Sequence, residues 1–153
     1  MLSSPFVPSP KKVCKEMVSL AGLKGGELVY DLGAGDGRLL FEALKVEDVN
    51  AVGVEINDDR AKYIVKKANE LGFSKRIRVI KEDFMNISLR KADVLLLYLS
   101  PKDLSKLKPK FELELRKGCR IISHDYKIPG WKPKEFEKVT YDGKVRWIYM
   151  YEV

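Results

Sequence analysis

The chain has 153 residues and a formal charge of +7, with 45% apolar and 33% charged residues. This length is typical of one domain with its own core, so we expect residues 1–153 to form a single domain. No apolar run approaches the ~20 residues that span a bilayer, and the N-terminus lacks the pattern of a secretory signal. We therefore predict a cytoplasmic protein that does not enter a membrane. Two cysteines and one histidine are too few for a zinc site, so no metal is expected.

The basic charge has two interpretations. Attraction to nucleic acid or to an acidic protein is one of them. The other, which we favour, is that lysines spread along the chain simply solvate exposed helix faces. The chain contains no glutamine and many Lys and Glu residues, a bias that predicts a protein working at high temperature.

Hydrophobic patterning predicts alternating helices and strands along most of the chain. The segment up to Pro10 is extended because its prolines exclude a helix. Ser9 is the expected N-cap of a first helix that starts at Pro10 and ends near Gly22. Strands are then predicted at 28–32, 51–55, 77–80, 93–98 and 119–123. Helices are predicted at 38–45 and 58–71, and 102–116 is expected to be partly helical with an interruption at Pro109.

The C-terminal part of the chain has a different pattern. Two β-rich segments, 135–140 and 145–152, flank Asp142-Gly143, and Asp-Gly between such segments is typical of a type I′ hairpin. The repeated strand–helix units before them favour a parallel sheet covered by helices. The predicted fold class is α/β, a Rossmann-like, doubly wound, mostly parallel seven-stranded sheet with a C-terminal antiparallel hairpin.

The most informative motif is the glycine loop Asp31-Leu-Gly-Ala-Gly-Asp-Gly37. A strand, a glycine loop and a helix N-terminus together present backbone N–H groups to a nucleotide-like ligand. A dinucleotide fingerprint would place its third glycine at position 38, where this chain has Arg38. The carboxylates of Asp31 and Asp36 disfavour a pyrophosphate but suit the sulfonium and ammonium groups of S-adenosylmethionine. Glycines needed only for tight packing are the alternative. The predicted cofactor contacts of the loop are Asp31, Gly33, Ala34, Gly35, Asp36 and Gly37.

Acidic residues after the next two strands fit the same ligand. Glu55 follows the loop by about 20 residues, where an acid binds ribose hydroxyls, and Ile56 is expected beside it. Asp83 is a candidate for the adenine amino group, with Phe84 packed on the ring. A helix N-cap is the equally weighted alternative for Asp83.

Ligands in open parallel sheets lie beyond the carboxyl ends of the strands, which places the transferred methyl group near the fourth strand. We expect Tyr98 to wall the methyl channel and Ser100 to hydrogen-bond an incoming amine. A core tyrosine and a Ser100-Pro101 helix cap are the alternatives. Transfer from an activated donor requires mainly alignment, and no catalytic triad is visible. His124 is a candidate base, but we favour a hydrogen-bonded structural histidine.

Several segments resemble the small archaeal-type protein lysine methyltransferases, a group that includes the mitochondrial enzymes that methylate a lysine of the ATP synthase c-ring protein. These segments are Phe6-Val-Pro-Ser-Pro10, Asp31 to Arg38, Gly53-Val-Glu-Ile-Asn57, and Ile122-Ser-His-Asp-Tyr126 with Pro129-Gly-Trp131. The resemblance covers nearly the whole chain. It implies S-adenosylmethionine as cofactor, lysines of one or several proteins as acceptors, and a monomer. It also implies that residues 1–24 cover the cofactor and bring Val7 and Ser9 to its amino-acid end, although the usual pattern has Thr in place of Ser9.

Two other functions stay open. A nucleic-acid methyltransferase would suit the basic charge, but enzymes of that class that methylate amino groups usually carry Asn/Asp-Pro-Pro-aromatic after the fourth strand to hold a flipped base. This chain reads Tyr98-Leu-Ser-Pro101 there. The other is a protein that binds S-adenosylmethionine without catalysis, against which the intact glycine loop and Glu55 argue.

Overall fold

The computed structural model describes residues 7–153. The predictions that concern residues 1–6, including Phe6 of the N-terminal motif, lie outside the described residues. A short 3₁₀ turn covers Phe84–Asn86. The helices are α1 Lys11–Ala21, α2 Arg38–Ala43, α3 Asp58–Glu70 and α4 Pro101–Glu114, and the strands are β1 Leu28–Leu32, β2 Asn50–Val54, β3 Ile77–Ile80, β4 Val94–Leu97, β5 Arg120–His124, β6 Glu135–Tyr141 and β7 Lys144–Glu152.

The strands form one seven-stranded sheet in the order β3-β2-β1-β4-β5-β7-β6. Strands β1 to β5 are mutually parallel, whereas β7 is antiparallel to both β5 and β6. This arrangement confirms the predicted fold class. The chain winds outward from β1 in one direction and then continues from β4 in the other, so a crevice opens at the carboxyl ends of β1 and β4, where such sheets bind ligands.

Both faces of the sheet are covered by helices. Strand β4 is buried at every position, as expected for a central parallel strand. Helix α1 packs Val13 and Met17 against one face, and α4 packs Leu107 and Phe111 against the other. Because α1 and α4 bury apolar side chains against opposite faces of the sheet, they hold in place the strands whose ends form the crevice.

The predicted end of the first helix near Gly22 and the predicted turn at Asp142-Gly143 are both confirmed. Helix α1 ends at Ala21, and its C-cap Gly22 adopts a left-handed conformation with φ +62°. In the β6–β7 hairpin, Asp142 and Gly143 both have positive φ angles, of 49° and 71°, as a type I′ turn requires. Within residues 7–153 no helix is long and apolar enough to cross a membrane.

Two local predictions were wrong. Ser9 does not cap α1, whose N-cap is Pro10 without a side-chain hydrogen bond. The Ser9 hydroxyl instead lies 2.8 Å from Nδ1 of His124, so a tertiary contact replaces the local one. Pro109 does not interrupt α4. A proline inside a helix costs about 3 kcal/mol, but the fully buried Leu107 and Phe111 on either side of it hold the helix continuous.

Candidate functional site

A cavity of about 230 Å³ lies at the carboxyl ends of β1, β2 and β4. Within residues 7–153, five separate segments of the chain line it. All the residues that the sequence predicts for the cofactor and the acceptor line this cavity except Gly35 and Gly37. Those that line it are Val7, Ser9, Asp31, Gly33, Ala34, Asp36, Glu55, Ile56, Asp83, Phe84, Tyr98 and Ser100.

The glycines of the loop differ in what they do. Gly33, Gly35 and Gly37 all have positive φ angles, which residues with a Cβ rarely adopt. A Cβ at Gly37 would lie 2.9 Å from the Phe41 ring, so this glycine permits tight packing of the loop on α2. Gly35 donates its N–H to Oε1 of Glu55 at 2.8 Å. Packing alone therefore explains Gly37, whereas Gly35 fixes the position of an acidic side chain of the cavity.

Glu55 connects three parts of the site. Its carboxylate is only 4% exposed. One oxygen accepts the Gly35 N–H, and the other accepts the Asn57 N–H at 2.8 Å and a guanidinium N–H of Arg60 at 3.3 Å. A carboxylate has about four acceptor positions, so these bonds leave room for one ligand hydroxyl. Glu55 thus holds the glycine loop against the start of α3 while it still borders the cavity.

Asp31 and Asp36 have unlike environments. The Asp36 carboxylate is bound by the Arg38 guanidinium, with Nη2 at 2.6 Å and Nε at 3.1 Å. Asp31 is 3% exposed and forms no ion pair within residues 7–153. Burial, together with the nearby carboxylates of Glu55 and Asp36, raises the pKa of Asp31 to about 8. A buried carboxyl group with this environment is stabilised in its charged form by a cation, so the floor of the cavity suits the positively charged end of S-adenosylmethionine.

Asp83 both caps a turn and borders the cavity. Its Oδ1 accepts the Met85 N–H at 3.0 Å at the start of the 3₁₀ turn, so the N-cap alternative describes a real contact. Asp83, Phe84 and Met85 lie together on the cavity wall. The turn therefore presents one acidic and two apolar side chains, a chemistry that fits a purine ring with an amino group.

Tyr98 lines the cavity beyond β4, and its ring stacks on the ring of His124. Their ring centroids are 3.9 Å apart, and the Tyr98 hydroxyl is 3.3 Å from Nη1 of Arg146. His124 is fully buried, and this burial lowers the pKa of His124 to about 4 despite the opposing effect of Asp125. The prediction of a hydrogen-bonded histidine is confirmed by its contact with Ser9. Ser100 lines the cavity and also caps α4, since its Oγ accepts the Asp103 N–H.

Sequence reasoning missed three arginines. Arg38 and Arg60 line the cavity, and Arg146 contacts Tyr98 and forms a 2.9 Å ion pair with Asp125. The sequence did contain a signal for Arg38. This residue stands where a dinucleotide motif has its third glycine, and it follows Asp36 by two residues, close enough to pair with it. Arg146 had none, since it reaches the site from β7.

Comparisons with known proteins agree with this geometry. The family model of the ANTKMT methyltransferase domain matches residues 31–135. The chain is 38% identical over 150 residues to the protein-lysine N-methyltransferase of Saccharolobus islandicus, covering 97% of this chain and 93% of that relative. It is 30% identical to the adenine nucleotide translocase lysine N-methyltransferase of Mus musculus, covering 86% of this chain but 57% of the mouse protein. The chain thus spans little more than half the length of that mammalian relative.

A solved structure is similar along almost its whole length. The RNA methyltransferase from Salinibacter ruber, in complex with S-adenosyl-L-homocysteine, superposes with a TM-score of 0.88 at 32% identity, covering 95% of this chain and 93% of that chain. S-adenosylhomocysteine is what remains of the cofactor after methyl transfer, and the acidic cavity floor described above fits the same cofactor. The chain therefore belongs to the ANTKMT methyltransferase domain family and is an S-adenosylmethionine-dependent methyltransferase.

Proposed function

We propose that this methyltransferase acts on the ε-amino groups of lysines in proteins. The observation that carries the proposal is the 38% identity to the archaeal protein-lysine N-methyltransferase along 97% of the chain. The mouse relative at 30% identity is also named for a lysine acceptor, in the adenine nucleotide translocase. Two relatives from distant organisms thus share one acceptor group, although their protein substrates need not be the same.

We infer that the cavity binds the cofactor in a defined direction. Asp31 would face the cationic methionine end, Glu55 the ribose hydroxyls, and Asp83 with Phe84 the adenine. The proposal is supported by the burial of Asp31 and by the free acceptor position on Glu55. In the single domain that we propose, the segment from Val7 onward would cover the ligand. The remaining proposed cofactor contacts are Val7, Ser9, Gly33, Ala34, Gly35, Asp36, Gly37 and Ile56.

The chain's own contribution to the reaction is mainly alignment. When bound, S-adenosylmethionine would supply a methyl group carried by a positively charged sulfur. A lysine ε-amine, formed when the ammonium loses its proton to solvent, would take this methyl group through its nitrogen lone pair and leave S-adenosylhomocysteine. Tyr98 would exclude water from one side of the path. Ser100 uses one lone pair of its hydroxyl for the Asp103 N–H, and its second lone pair can accept an amine N–H. This contact would direct the nitrogen lone pair toward the methyl carbon.

RNA is the second candidate acceptor. The Salinibacter protein is called an RNA methyltransferase, and a charge of +7 would attract a phosphate backbone. Against RNA, the segment Tyr98-Leu-Ser-Pro101 lacks the Asn/Asp-Pro-Pro-aromatic pattern of many enzymes that methylate base amino groups. The 38% identity to a protein-lysine enzyme also exceeds the 32% identity to the Salinibacter protein.

A labelling experiment separates the two acceptors. The purified protein is incubated with methyl-labelled S-adenosylmethionine and a cell extract, and the products are split between nuclease and protease digestion. We expect label that survives nuclease, is released by protease, and is located on lysines by mass spectrometry. Label that survives protease and is released by nuclease would establish RNA and overturn the lysine proposal. The Asp31→Ala variant serves as the control for contaminating methyltransferases, because it should lose the label in either fraction.

We further propose a cytoplasmic monomer that works at high temperature and methylates several proteins. Cys14 and Cys119 are buried free thiols, as is typical of proteins in a reducing compartment. The abundance of Lys and Glu and the lack of Gln support thermal adaptation. Sedimentation measures the oligomeric state, a thermal melt measures the working range, and the same labelled extract counts the acceptor proteins.

A further inference from the structure

Residues 7–10, which we call the N-terminal strap, are anchored through Ser9. Val7 at the outer end of the strap is 59% exposed, whereas Ser9 is 4% exposed. The Ser9 carbonyl oxygen accepts hydrogen bonds from Nη1 of Arg38 at 3.2 Å and from Sγ of Cys14 at 3.6 Å. The Ser9 hydroxyl is 2.8 Å from Nδ1 of His124. One residue therefore ties the strap both to the glycine loop, through Arg38, and to the end of β5, through His124.

The strap forms part of the cavity wall. Val7, Pro8 and Ser9 all line the cavity, together with Asp31 and Tyr98 on other segments. A ligand in the cavity is thus covered by the strap on one side. Movement of the strap away from the cavity would break the contacts of Ser9.

His124 makes a directional contact with Ser9. The low pKa of His124 keeps the imidazole neutral at pH 7, with one N–H and one acceptor nitrogen. Its Nε2 lies 3.5 Å from Oδ2 of Asp125 and makes no hydrogen bond within the described part of the chain. The Asp125 carboxylate favours the proton on Nε2, which leaves Nδ1 to accept the Ser9 hydroxyl.

The same imidazole also supports the wall of the cavity near Tyr98. Its ring stacks on the Tyr98 ring with centroids 3.9 Å apart, and His124 itself does not line the cavity. Because the ring is shielded from the cavity by Ser9 and Tyr98, it is not placed to take a proton from an acceptor. Its contacts are instead with two residues that line the cavity, Ser9 and Tyr98.

We propose that His124 is a positioning residue that holds the strap closed over the cofactor through Ser9 and fixes the Tyr98 ring by stacking. Its hydrogen bond to Ser9 slows the release of the bound cofactor and of its demethylated product. This inference concerns only the cofactor, so it holds whether the acceptor is a lysine or RNA, and its test requires no acceptor.

Two substitutions of His124 separate its two contacts. His124→Phe keeps an aromatic ring but removes the acceptor nitrogen, and His124→Asn keeps a polar side-chain atom near the position of Nδ1 but removes the ring. Ser9→Ala removes the same hydrogen bond from the strap side. The readouts are the dissociation rate of S-adenosylhomocysteine, measured by displacement with excess S-adenosylmethionine, and hydrogen exchange of the peptide that contains the strap.

We expect His124→Phe and Ser9→Ala each to raise the dissociation rate by about three- to tenfold, the range of one lost hydrogen bond. Both should also speed hydrogen exchange in the strap. The double variant should be no faster than the faster single variant, because the two changes remove the same bond. His124→Asn should stay within about twofold of the wild type in dissociation rate. Lys11→Ala, an exposed residue just after the strap, is the control and should change neither readout.

Several outcomes would overturn the proposal. Multiplying effects in the double variant would show that Ser9 and His124 act separately. Dissociation rates within twofold of the wild type for both single variants would show that their bond does not hold the strap. If His124→Phe does not fold, Ser9→Ala decides alone, because it changes one atom on the strap. An unchanged rate with unchanged strap exchange then shows that His124 does not hold the strap.

Discussion

Two parts of the cavity wall, which we call the glycine-loop end and the Tyr98 end, are built in different ways. At the glycine-loop end, Asp31, Gly35 and Glu55 come from adjacent parallel strands and the loop between them, and short hydrogen bonds from backbone N–H groups fix the Glu55 carboxylate. At the Tyr98 end, the Tyr98 side chain contacts other side chains, among them the His124 ring and the Arg146 guanidinium. Backbone contacts therefore fix the first end, whereas the second end depends on the identity of the side chains that β5 and β7 bring to it.

The largest expected effect tests the rigid end. Glu55→Ala removes the acceptor of the Gly35 and Asn57 N–H groups and leaves the guanidinium of Arg60 without this carboxylate. We expect the free energy of unfolding to fall by about 3–5 kcal/mol and cofactor binding to weaken by on the order of 1–3 kcal/mol. Urea denaturation and titration calorimetry measure the two quantities.

The matched control for Glu55 is Glu70→Ala at the end of α3. The Glu70 side chain is half-exposed and lies 3.7 Å from Lys67, so its loss should change stability by no more than about 0.5 kcal/mol. Equal effects of the two substitutions would show that the glycine-loop end does not depend on the buried carboxylate.

The second prediction tests the end built from side chains. Tyr98→Ala removes the ring that covers His124 and opens the cavity wall. We expect kcat to fall by on the order of 10²-fold, because misalignment of the acceptor is costly, while the Kd for S-adenosylmethionine changes little. Tyr98→Phe removes only the hydroxyl near Arg146 and should keep most of the activity. A large loss of cofactor affinity in Tyr98→Ala, with kcat intact, would place Tyr98 on the cofactor side instead.

The third prediction concerns pH and the cofactor-free protein. Between pH 4 and pH 8, Asp31 in the folded state keeps a proton that it loses in the unfolded state, because its pKa is raised to about 8. Its contribution to stability therefore falls as pH rises through this range. His124 acts in the opposite sense: its pKa is lowered from 6.5 to about 4, so its contribution rises between those values. Between pH 6.5 and pH 8, His124 no longer titrates in either state, so of these two groups only Asp31 still changes the stability.

We therefore expect the free energy of unfolding to fall between pH 6.5 and pH 8, by at most about 1.4 kcal/mol per pH unit. S-adenosylmethionine should bind more tightly over the same interval, as Asp31 becomes charged. Chemical denaturation at several pH values measures the slope, and Asp31→Asn should flatten it. A variant slope equal to that of the wild type would mean that another group is responsible.

The smallest expected effect separates two roles of Ser100. Ser100→Ala removes the N-cap of α4 and should lower stability by about 1 kcal/mol. If Ser100 also orients the amine, kcat/KM for the acceptor should fall while the Kd for S-adenosylmethionine stays constant. Loss of stability with unchanged kcat/KM would leave Ser100 as a helix cap alone. Thermal melts and steady-state kinetics on the same protein samples decide between these outcomes.

The residues of the glycine-loop end could be predicted because they lie in short segments of the sequence. Gly33, Asp36 and Gly37 lie in one motif, and Glu55 follows at the distance that the strand–helix–strand unit dictates. The end near Tyr98 could be predicted only in part. Ser9 and His124 are 115 positions apart. No local sequence pattern shows that the Ser9 hydroxyl binds His124 and does not cap α1.

The same limit explains the other differences. Pro109 signals an interruption by its own geometry, but the burial of Leu107 and Phe111 in the folded protein outweighs that signal. Arg146 reaches Tyr98 because β7 runs antiparallel next to β5, and the β-rich composition of residues 145–152 does not reveal which strand they pair with. Propensity predicts elements, whereas the partners of their side chains depend on the assembled sheet.

The position of β7 has a consequence for how the molecule is made. This strand follows all the others along the chain, yet it lies inside the sheet, between β5 and β6. Until β7 has folded into place, β5 therefore presents an unpaired edge, and β6 has no partner. Such edges pair readily with other chains. Pairing of β7 with β5 covers that edge, so we expect a chain without the residues from Lys144 onward to aggregate.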